Sequence, residues 1–176
     1  MSRIFGHTVE NAPEASRELL RNVIQFSPTG RPLNMHAQMA HSPAVLAAYT
    51  SLRAATAEHG TLGPQVSSAL MLATASAVGN DYAVGITSRL AGMMGWDEEH
   101  VTALRDGTAV GDNKLDVLTD LVREAAVNAG NVADANWITA LDAGWNDEQV
   151  AEAFAYLGLA VFTAYFMNYA QTESDV

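Results

Sequence analysis

The sequence predicts an all-α fold. Apolar residues recur at helical spacing along most of the chain, and no segment shows the sustained alternation of apolar and polar residues that marks a strand. Alanine, the residue with the highest helix propensity, occupies 31 of the 176 positions. Helix start and stop signals divide the chain into about eight helices. A chain of 176 residues is long enough for one domain with a core and short for two, so we expect residues 1–176 to form a single domain.

The N-terminal half contains four of the predicted helices. Asn11 and Glu14 have the spacing of a capping box ahead of the first helix. Ser42 followed by Pro43 is a cap with proline at the first helical position, and that second helix ends near Gly60. The next two helices are predicted over residues 64–78, after the pair Gly63-Pro64, and over residues 80–94, before Gly95.

The C-terminal half contains the other four. A short helix begins at the acidic run 97–99, where the helix dipole favours negative charge. After a polar break at residues 107–113, apolar periodicity predicts a helix that ends near Gly130. The last two are expected over residues 132–143 and 147–170.

Two helix corners resemble each other in sequence. Residues 95–101 read GWDEEHV and residues 144–150 read GWNDEQV, at an offset of 49. A duplicated binding motif would produce this pattern, and so would two similar corners in which Gly ends a helix and Trp packs over the turn. We favour the second interpretation, with Trp96 and Trp145 as structural anchors.

Composition and charge exclude several classes of function. The chain has no Cys, which removes disulfides, thiolate metal sites and Cys nucleophiles. Its net charge of −11, with the nine basic residues scattered, disfavours nucleic acid as a partner. No His-Glu-x-x-His motif and no nucleotide-binding fingerprint occurs, so we expect no metal and no cofactor. The N-terminus lacks the apolar segment of a signal peptide, and we therefore expect a cytoplasmic protein.

The low charge content points to association between copies. Charged residues make up only 16% of the chain and hydrophobic residues 49%, which suggests that part of the exterior is covered by another copy. The uncharged stretch 153–172 is long enough to span a membrane. It contains three Tyr, Asn168 and Gln171 and has no basic flank, so we expect a helix buried in the core or between subunits, and no membrane partner.

Several short segments together resemble a known family in their order and spacing. They are PLN at 32–34, AHSP at 40–43, the helical pair at 62–90, GWDEE at 95–99, DNKL at 112–115, AGWND at 143–147 and FTAYFMNY at 162–169. From about residue 13 to 172 the chain resembles the carboxymuconolactone decarboxylase and alkylhydroperoxidase D family. The resemblance implies an alkylhydroperoxidase D-like helical bundle that assembles as a trimer or hexamer.

The same resemblance locates a thiol site that this chain has lost. Peroxidase members of the family carry a Glu on one helix and Cys-x-x-Cys-x-x-x-His at the start of the next. Aligned here, the two Cys positions fall on Asn80 and Ala83, the His on Thr87 and the Glu near Ser68. None of these residues supports thiol–disulfide exchange, so a Cys-dependent peroxidase activity is not expected, whatever a family-level label suggests.

Five residues near that position are the candidate site: Asn80, Thr87, Tyr82, Ser68 and His41. Four of them also have a structural interpretation. Asn80 fits a helix cap, Tyr82 fits core packing, and Thr87 fits a bond to a carbonyl one turn back. His36 and His41 could also contribute to a site, but their spacing of five keeps them off one helix face, and for His41 we favour a structural hydrogen bond over catalysis.

Two functions remain open at this stage. One is a cofactor-free lyase or proton-transfer enzyme acting on a small, partly apolar carboxylated substrate, as in the decarboxylase branch of the family. It requires an enclosed pocket at the faces of Ser68, Asn80 and Thr87 with at least one perturbed acid or His. The alternative is a non-catalytic ligand-binding or oligomeric scaffold relative, in which Met and aromatic side chains fill those faces.

Overall fold

The helical prediction is confirmed. The structure, a computed structural model, describes residues 1–25, 27 and 30–175. Over these residues it has no strand and nine α-helices, in chain order α1 Glu14–Ile24, α2 Asn34–Met39, α3 Pro43–His59, α4 Pro64–Ala77, α5 Asp81–Met93, α6 Glu98–Asp106, α7 Asn113–Val127, α8 Asp134–Asp142 and α9 Asp147–Ala170.

Helix α4 lies at the centre of the bundle. It packs against α5, α6, α7 and α9. Its small side chains let the neighbouring helices approach closely, and Ala69, Leu70, Leu72, Ala73 and Ala75 are fully buried. The hydrophobic core therefore surrounds α4, between α5 on one side and α7 and α9 on the others.

Helix α9 has one buried face and one exposed apolar face. By length and composition it could cross a membrane. It packs against α3, α4, α5 and α7 with a buried face that includes Leu159, Ala160, Ala164 and Met167. This packing favours a core helix of the bundle, as its sequence predicts. Phe154, Tyr165 and Tyr169 are nevertheless exposed, so the helix is not covered on every side within one chain.

Most helix boundaries agree with the sequence signals, and one cap does not. Ser42 caps α3, and Asn146 and Gln149 form the capping box of α9. The capping box predicted at Asn11 is wrong, because α1 begins at Glu14 after Pro13 with no side-chain cap. The Asn11 side chain accepts instead from the backbone N–H of Thr8, which closes a turn ahead of the helix.

The two similar corners have the same structure, in which a Trp side chain is hydrogen-bonded to an earlier helix. The Trp96 indole N–H donates to the carbonyl of Gln65 at 2.9 Å, and the Trp145 indole N–H donates to the carbonyl of Lys114 at 2.7 Å. Gly95 and Gly144 both have positive φ, which glycine adopts without strain. Each corner thus ties a new helix to an earlier one, as the structural interpretation predicts.

The short helix α2 is not among the eight helices predicted from the sequence. Its six residues are too few for a visible apolar period, and its first backbone N–H is satisfied from far away in the chain. Asp175 accepts from the Asn34 backbone N–H at 2.8 Å, and the Asn34 side chain donates to the carbonyl of Glu173 at 3.0 Å. The C-terminal tail therefore holds the start of α2 in place.

Candidate functional site

A small buried cavity lies where the sequence analysis placed the lost thiol site. Its volume is about 30 Å³, which is enough to hold a water molecule. Helices α2, α3, α4, α5 and α9 contribute its walls. The lining residues are Met35, Tyr49, Met71, Ala75, Ala83, Ile86, Thr87, Ala160 and Thr163. None of these side chains carries a charge at neutral pH.

Two of the aligned positions face this cavity. Ala83, the position of the second Cys, and Thr87, the position of the His, both line it and are buried. The Thr87 hydroxyl donates to the Ala83 carbonyl at 2.7 Å. Its oxygen still has free lone pairs, so Thr87 can accept a hydrogen bond from a molecule in the cavity but does not act as a strong acid or base.

Asn80 has a structural role in this chain. Its Oδ1 accepts from the Ala83 backbone N–H at 2.7 Å, which caps α5, and its Nδ2 donates to Asn168 Oδ1 at 2.6 Å. The side chain is thus bonded on both sides and is not among the residues that line the cavity. Its amide joins the start of α5 to α9.

Ser68 and Tyr82 also lie outside the cavity lining. Ser68 is buried, and its hydroxyl donates to the Gln65 carbonyl at 2.8 Å within α4. The Tyr82 hydroxyl donates to the Asp175 carboxylate in the C-terminal tail. Burial and the adjacent Asp175 charge raise the pKa of Tyr82, so this phenol stays protonated and serves as a fixed donor to the tail.

His41 lies in a separate cluster. Its Nε2 donates to the Phe5 carbonyl at 2.8 Å, and its ring packs against His7 with 4.1 Å between ring centroids. It is not among the cavity-lining residues. The structure therefore brings Ala83 and Thr87 together at the cavity and leaves Asn80, Ser68, Tyr82 and His41 out of it.

His36, on α2 behind the cavity wall, is the histidine whose pKa is shifted most among the described residues. Its ring packs against that of Tyr49, with centroids 5.1 Å apart, and is only 5% exposed. Burial, helped by the positive charge of Arg53, lowers the pKa of His36 to about 4. The imidazole is therefore neutral at pH 7, and its Nε2 has no hydrogen-bond partner among the described residues.

Tyr49 links His36 to the cavity. It lines the cavity, and it is buried. Burial raises its pKa, although the charge of Arg53 and a hydrogen bond from that side chain act in the opposite direction. The phenol thus remains protonated at neutral pH, and the pair can offer a hydroxyl and a neutral imidazole but no fixed charge.

Sequence reasoning missed several lining residues, chiefly Met35, Tyr49, Met71 and Thr163. Tyr49 was visible as part of the apolar face of its helix, and a core role was the natural interpretation. Thr163 is a polar residue in a strongly apolar helix, and its hydroxyl donates to the Leu159 carbonyl at 2.7 Å. Only the packing of five helices brings these side chains together, so no local motif identified them.

The arrangement of these helices is the alkylhydroperoxidase D-like fold. No family model matches the sequence, and no curated protein matches it. Solved structures do match this chain in fold. The alkylhydroperoxidase core of an uncharacterized peroxidase-related protein from Ralstonia eutropha JMP134 matches at a TM-score of 0.86 and 16% identity, over 99% of this chain and 92% of that chain.

Two further solved structures share the fold. An uncharacterized peroxidase-related protein from Silicibacter sp. TM1040 matches at a TM-score of 0.78 and 14% identity, over 94% of this chain and 87% of that one. The debrominase Bmp8, in a Cys-to-Ala variant bound to 2,3,4-tribromopyrrole, matches at a TM-score of 0.80 and 12% identity. The match covers 100% of this chain and 93% of that chain. At these identities the likeness defines the fold.

Proposed function

We propose that this protein is a divergent, thiol-free relative in the carboxymuconolactone decarboxylase and alkylhydroperoxidase D family, and that it binds a small uncharged molecule in its buried cavity. The observation that carries the proposal is the cavity itself. It lies at Ala83 and Thr87, where thiol-dependent members hold reactive groups, and it has not been filled by larger side chains.

The lining defines the chemistry of the ligand. Met, Ile and Ala side chains supply an apolar surface, while Thr87, Thr163 and Tyr49 supply hydroxyls. Without a cation or a set of free N–H donors, a carboxylate there would lose its hydration without compensation. A neutral, largely apolar molecule is therefore the preferred occupant.

The size of the cavity limits the ligand. At about 30 Å³ it has roughly a fifth of the volume of an apolar cavity of about 150 Å³ that binds benzene. Met35 and Met71 are flexible side chains in its wall, and a change of rotamer would enlarge it. Bmp8 binds a brominated pyrrole on the same fold, so a single small ring is the largest ligand that we propose here.

Xenon is a direct probe of this proposal. We expect dissolved xenon to bind the wild-type protein and to shift the NMR signals of methyl groups around Ala83 and Ile86. Ala83→Leu, which puts a larger side chain into the cavity, should remove these shifts. Ala54→Leu on the exposed face of α3 is the matched control and should retain them. Shifts that persist in Ala83→Leu, or that are absent from the wild type, would refute binding in the cavity.

The second candidate function is a cofactor-free lyase or proton-transfer enzyme. His36 is the reason to consider it, because its buried imidazole is neutral at pH 7 and its Nε2 has no hydrogen-bond partner among the described residues. The test is proton exchange with solvent at the carbon beside the carbonyl of a small neutral compound, catalysed by the purified protein. Turnover that is lost in His36→Gln, while xenon still binds, would support an enzyme. No turnover by the wild type would leave the binding function as the proposal.

A further inference from the structure

Two threonines line the cavity from different helices. Thr87 lies on α5 and Thr163 on α9, and these two helices pack against each other. Both side chains are buried, at 4% and 8% exposed. A buried hydroxyl needs a hydrogen-bond partner, which is either a group of the protein or a molecule in the cavity. The partner that each hydroxyl proton already has therefore determines what these two side chains can offer to a ligand.

Both hydroxyl protons are used within their own helices. The Thr87 hydroxyl donates to the Ala83 carbonyl at 2.7 Å, and the Thr163 hydroxyl donates to the Leu159 carbonyl at 2.7 Å. Each bond runs to the carbonyl four residues earlier, which is a common partner of a threonine inside a helix. A hydroxyl has one proton and two lone pairs, so each oxygen can still accept a hydrogen bond from a molecule in the cavity.

The other lining side chains add few hydrogen-bond donors. The thioether sulfurs of Met35 and Met71 are weak acceptors and have no proton to donate. The Ala and Ile side chains of the wall are apolar. Tyr49 adds a third hydroxyl, whose oxygen accepts a hydrogen bond from the Arg53 side chain. Acceptor atoms therefore outnumber donor protons among the lining side chains.

We propose that Thr87 and Thr163 select small neutral molecules that have an N–H or O–H donor, such as an N–H heterocycle or an alcohol. Such a donor can bond to a threonine oxygen while both intrahelical bonds stay intact. A molecule that can only accept gains nothing from these two residues unless a hydroxyl turns away from its carbonyl, which costs that bond. The selection rests on the proposed binding function, because it concerns the same cavity.

Charged donors do not fit this cavity. An ammonium group also donates hydrogen bonds, but none of the lining side chains in the described part of the chain is negatively charged. A buried cation would therefore lose its hydration without compensation, which costs far more than one or two hydrogen bonds return. The selected class is thus limited to uncharged donors.

Pyrrole and furan are a matched pair of probes, since the two rings are similar in size and only pyrrole has an N–H donor. A cavity without acceptors would prefer furan, because a buried pyrrole N–H would lose its hydrogen bond to water. We expect the wild-type protein to bind pyrrole more tightly, measured by titration of the NMR methyl signals of Ala83 and Ile86. Equal binding, or tighter binding of furan, would overturn the proposal. If neither ring binds, methanol and fluoromethane are the smaller matched pair, with the same expectation for the O–H donor.

Threonine-to-valine variants test the two oxygens separately. Thr87→Val and Thr163→Val nearly keep the side-chain size and remove the acceptor, so the preference for the donor probe should fall at least about threefold in each. Thr119→Val on α7 is the matched control and should keep the wild-type preference. Thr119 is also buried and donates to the Asp116 carbonyl at 2.9 Å, but it does not line the cavity. An unchanged preference in either cavity variant would refute the role of that threonine.

Xenon binding separates failure of this selection from failure of the proposed function. Without xenon in the wild-type cavity, the binding function fails and the selection fails with it. A protein that binds xenon but does not prefer the donor of either matched pair refutes the selection alone. Xenon binding by the valine variants also confirms that they are folded, and the wild-type comparison decides the question if one is not.

Discussion

At the scale of single residues, the positions that once suggested a reactive site divide into two kinds. Asn80 and Tyr82 are fully used in holding the fold, the first between α5 and α9 and the second between α5 and the C-terminal tail. Ala83 and Thr87 instead leave space beside them. Asn80 and Tyr82 thus hold the beginning of α5 in place, and an uncharged cavity lies beside Ala83 and Thr87 on the same helix.

Removal of the Asn80 side chain tests its structural role. Asn80→Ala deletes the cap of α5, which leaves the buried Ala83 backbone N–H without its acceptor, and removes the hydrogen bond to Asn168, so we expect a loss of about 2 kcal/mol in the free energy of unfolding. Asp112→Ala, which removes the exposed cap of α7, should cost about 1 kcal/mol. Urea denaturation measures both values. An Asn80→Ala variant as stable as the wild type would contradict the structural role.

His36 makes stability depend on pH in the acidic range. Its pKa is about 4 in the folded protein and about 6.5 when unfolded, so the unfolded state binds more protons between these values. Stability is complete above pH 6.5 and is lost as the pH falls toward 4. The expected loss is about 2 kcal/mol between pH 7 and pH 5.

The measurement is urea denaturation of the wild type and His36→Gln at both pH values. Other groups titrate in the two proteins alike, so the difference between them isolates His36. The pH-dependent loss should be smaller by about 2 kcal/mol in His36→Gln. Equal losses in the two proteins would mean that His36 is not held neutral by burial.

At the scale of the helices, the sequence predicts what local patterns encode. The boundaries of α3, α4, α5 and α9 follow Pro, Gly and Asn signals that act within a few residues. Helix α2 was not predicted, because its start depends on a contact from far away in the chain, and the cap of α1 was predicted wrongly, because Asn11 makes a different local turn. Asp175 holds the first turn of α2, and Asn11 belongs to a turn with Thr8.

The contact between Tyr82 and Asp175 should control the order of the C-terminal tail. In Tyr82→Phe the Asp175 carboxylate loses its phenol donor and keeps the Asn34 backbone N–H. We expect faster hydrogen exchange at residues 172–175 and in the first turn of α2, with little change in α9. Tyr169→Phe, an exposed position, is the control. Unchanged exchange in Tyr82→Phe would show that this contact does not order the tail.

At the scale of the whole molecule, the fold was predictable and the cavity was not. The helical periodicity of apolar residues, the absence of alternating apolar and polar residues, and the order of the family-like segments all indicated one helical bundle. The cavity wall combines Met35, Tyr49, Met71, Ala83 and Thr163, from five helices. Such a convergence depends on tertiary packing, and the individual residues look like ordinary core positions in the sequence.

The exposed apolar face of α9 supports the prediction that the protein forms an oligomer. Phe154, Tyr165 and Tyr169 are 63%, 56% and 78% exposed in the single chain. Contact with another copy would remove this surface from water. We expect analytical ultracentrifugation to give a trimer or hexamer at micromolar concentration.

Substitutions on that face locate the contact. Phe154→Glu combined with Tyr165→Glu should shift the protein toward monomer, since charge is costly in a buried interface. Val127→Glu, at an exposed position on α7, serves as the control. A monomeric wild-type protein would exclude the oligomer, and an unchanged mass for the double variant would place the contact elsewhere.

This alkylhydroperoxidase D-like fold contains a small, uncharged cavity beside Ala83 and Thr87. A crystal structure under xenon pressure tests it most directly. We predict one xenon atom among Ala83, Thr87 and Thr163, between α5 and α9. Side chains that close this space, with no xenon between the two helices, would show that the cavity does not exist.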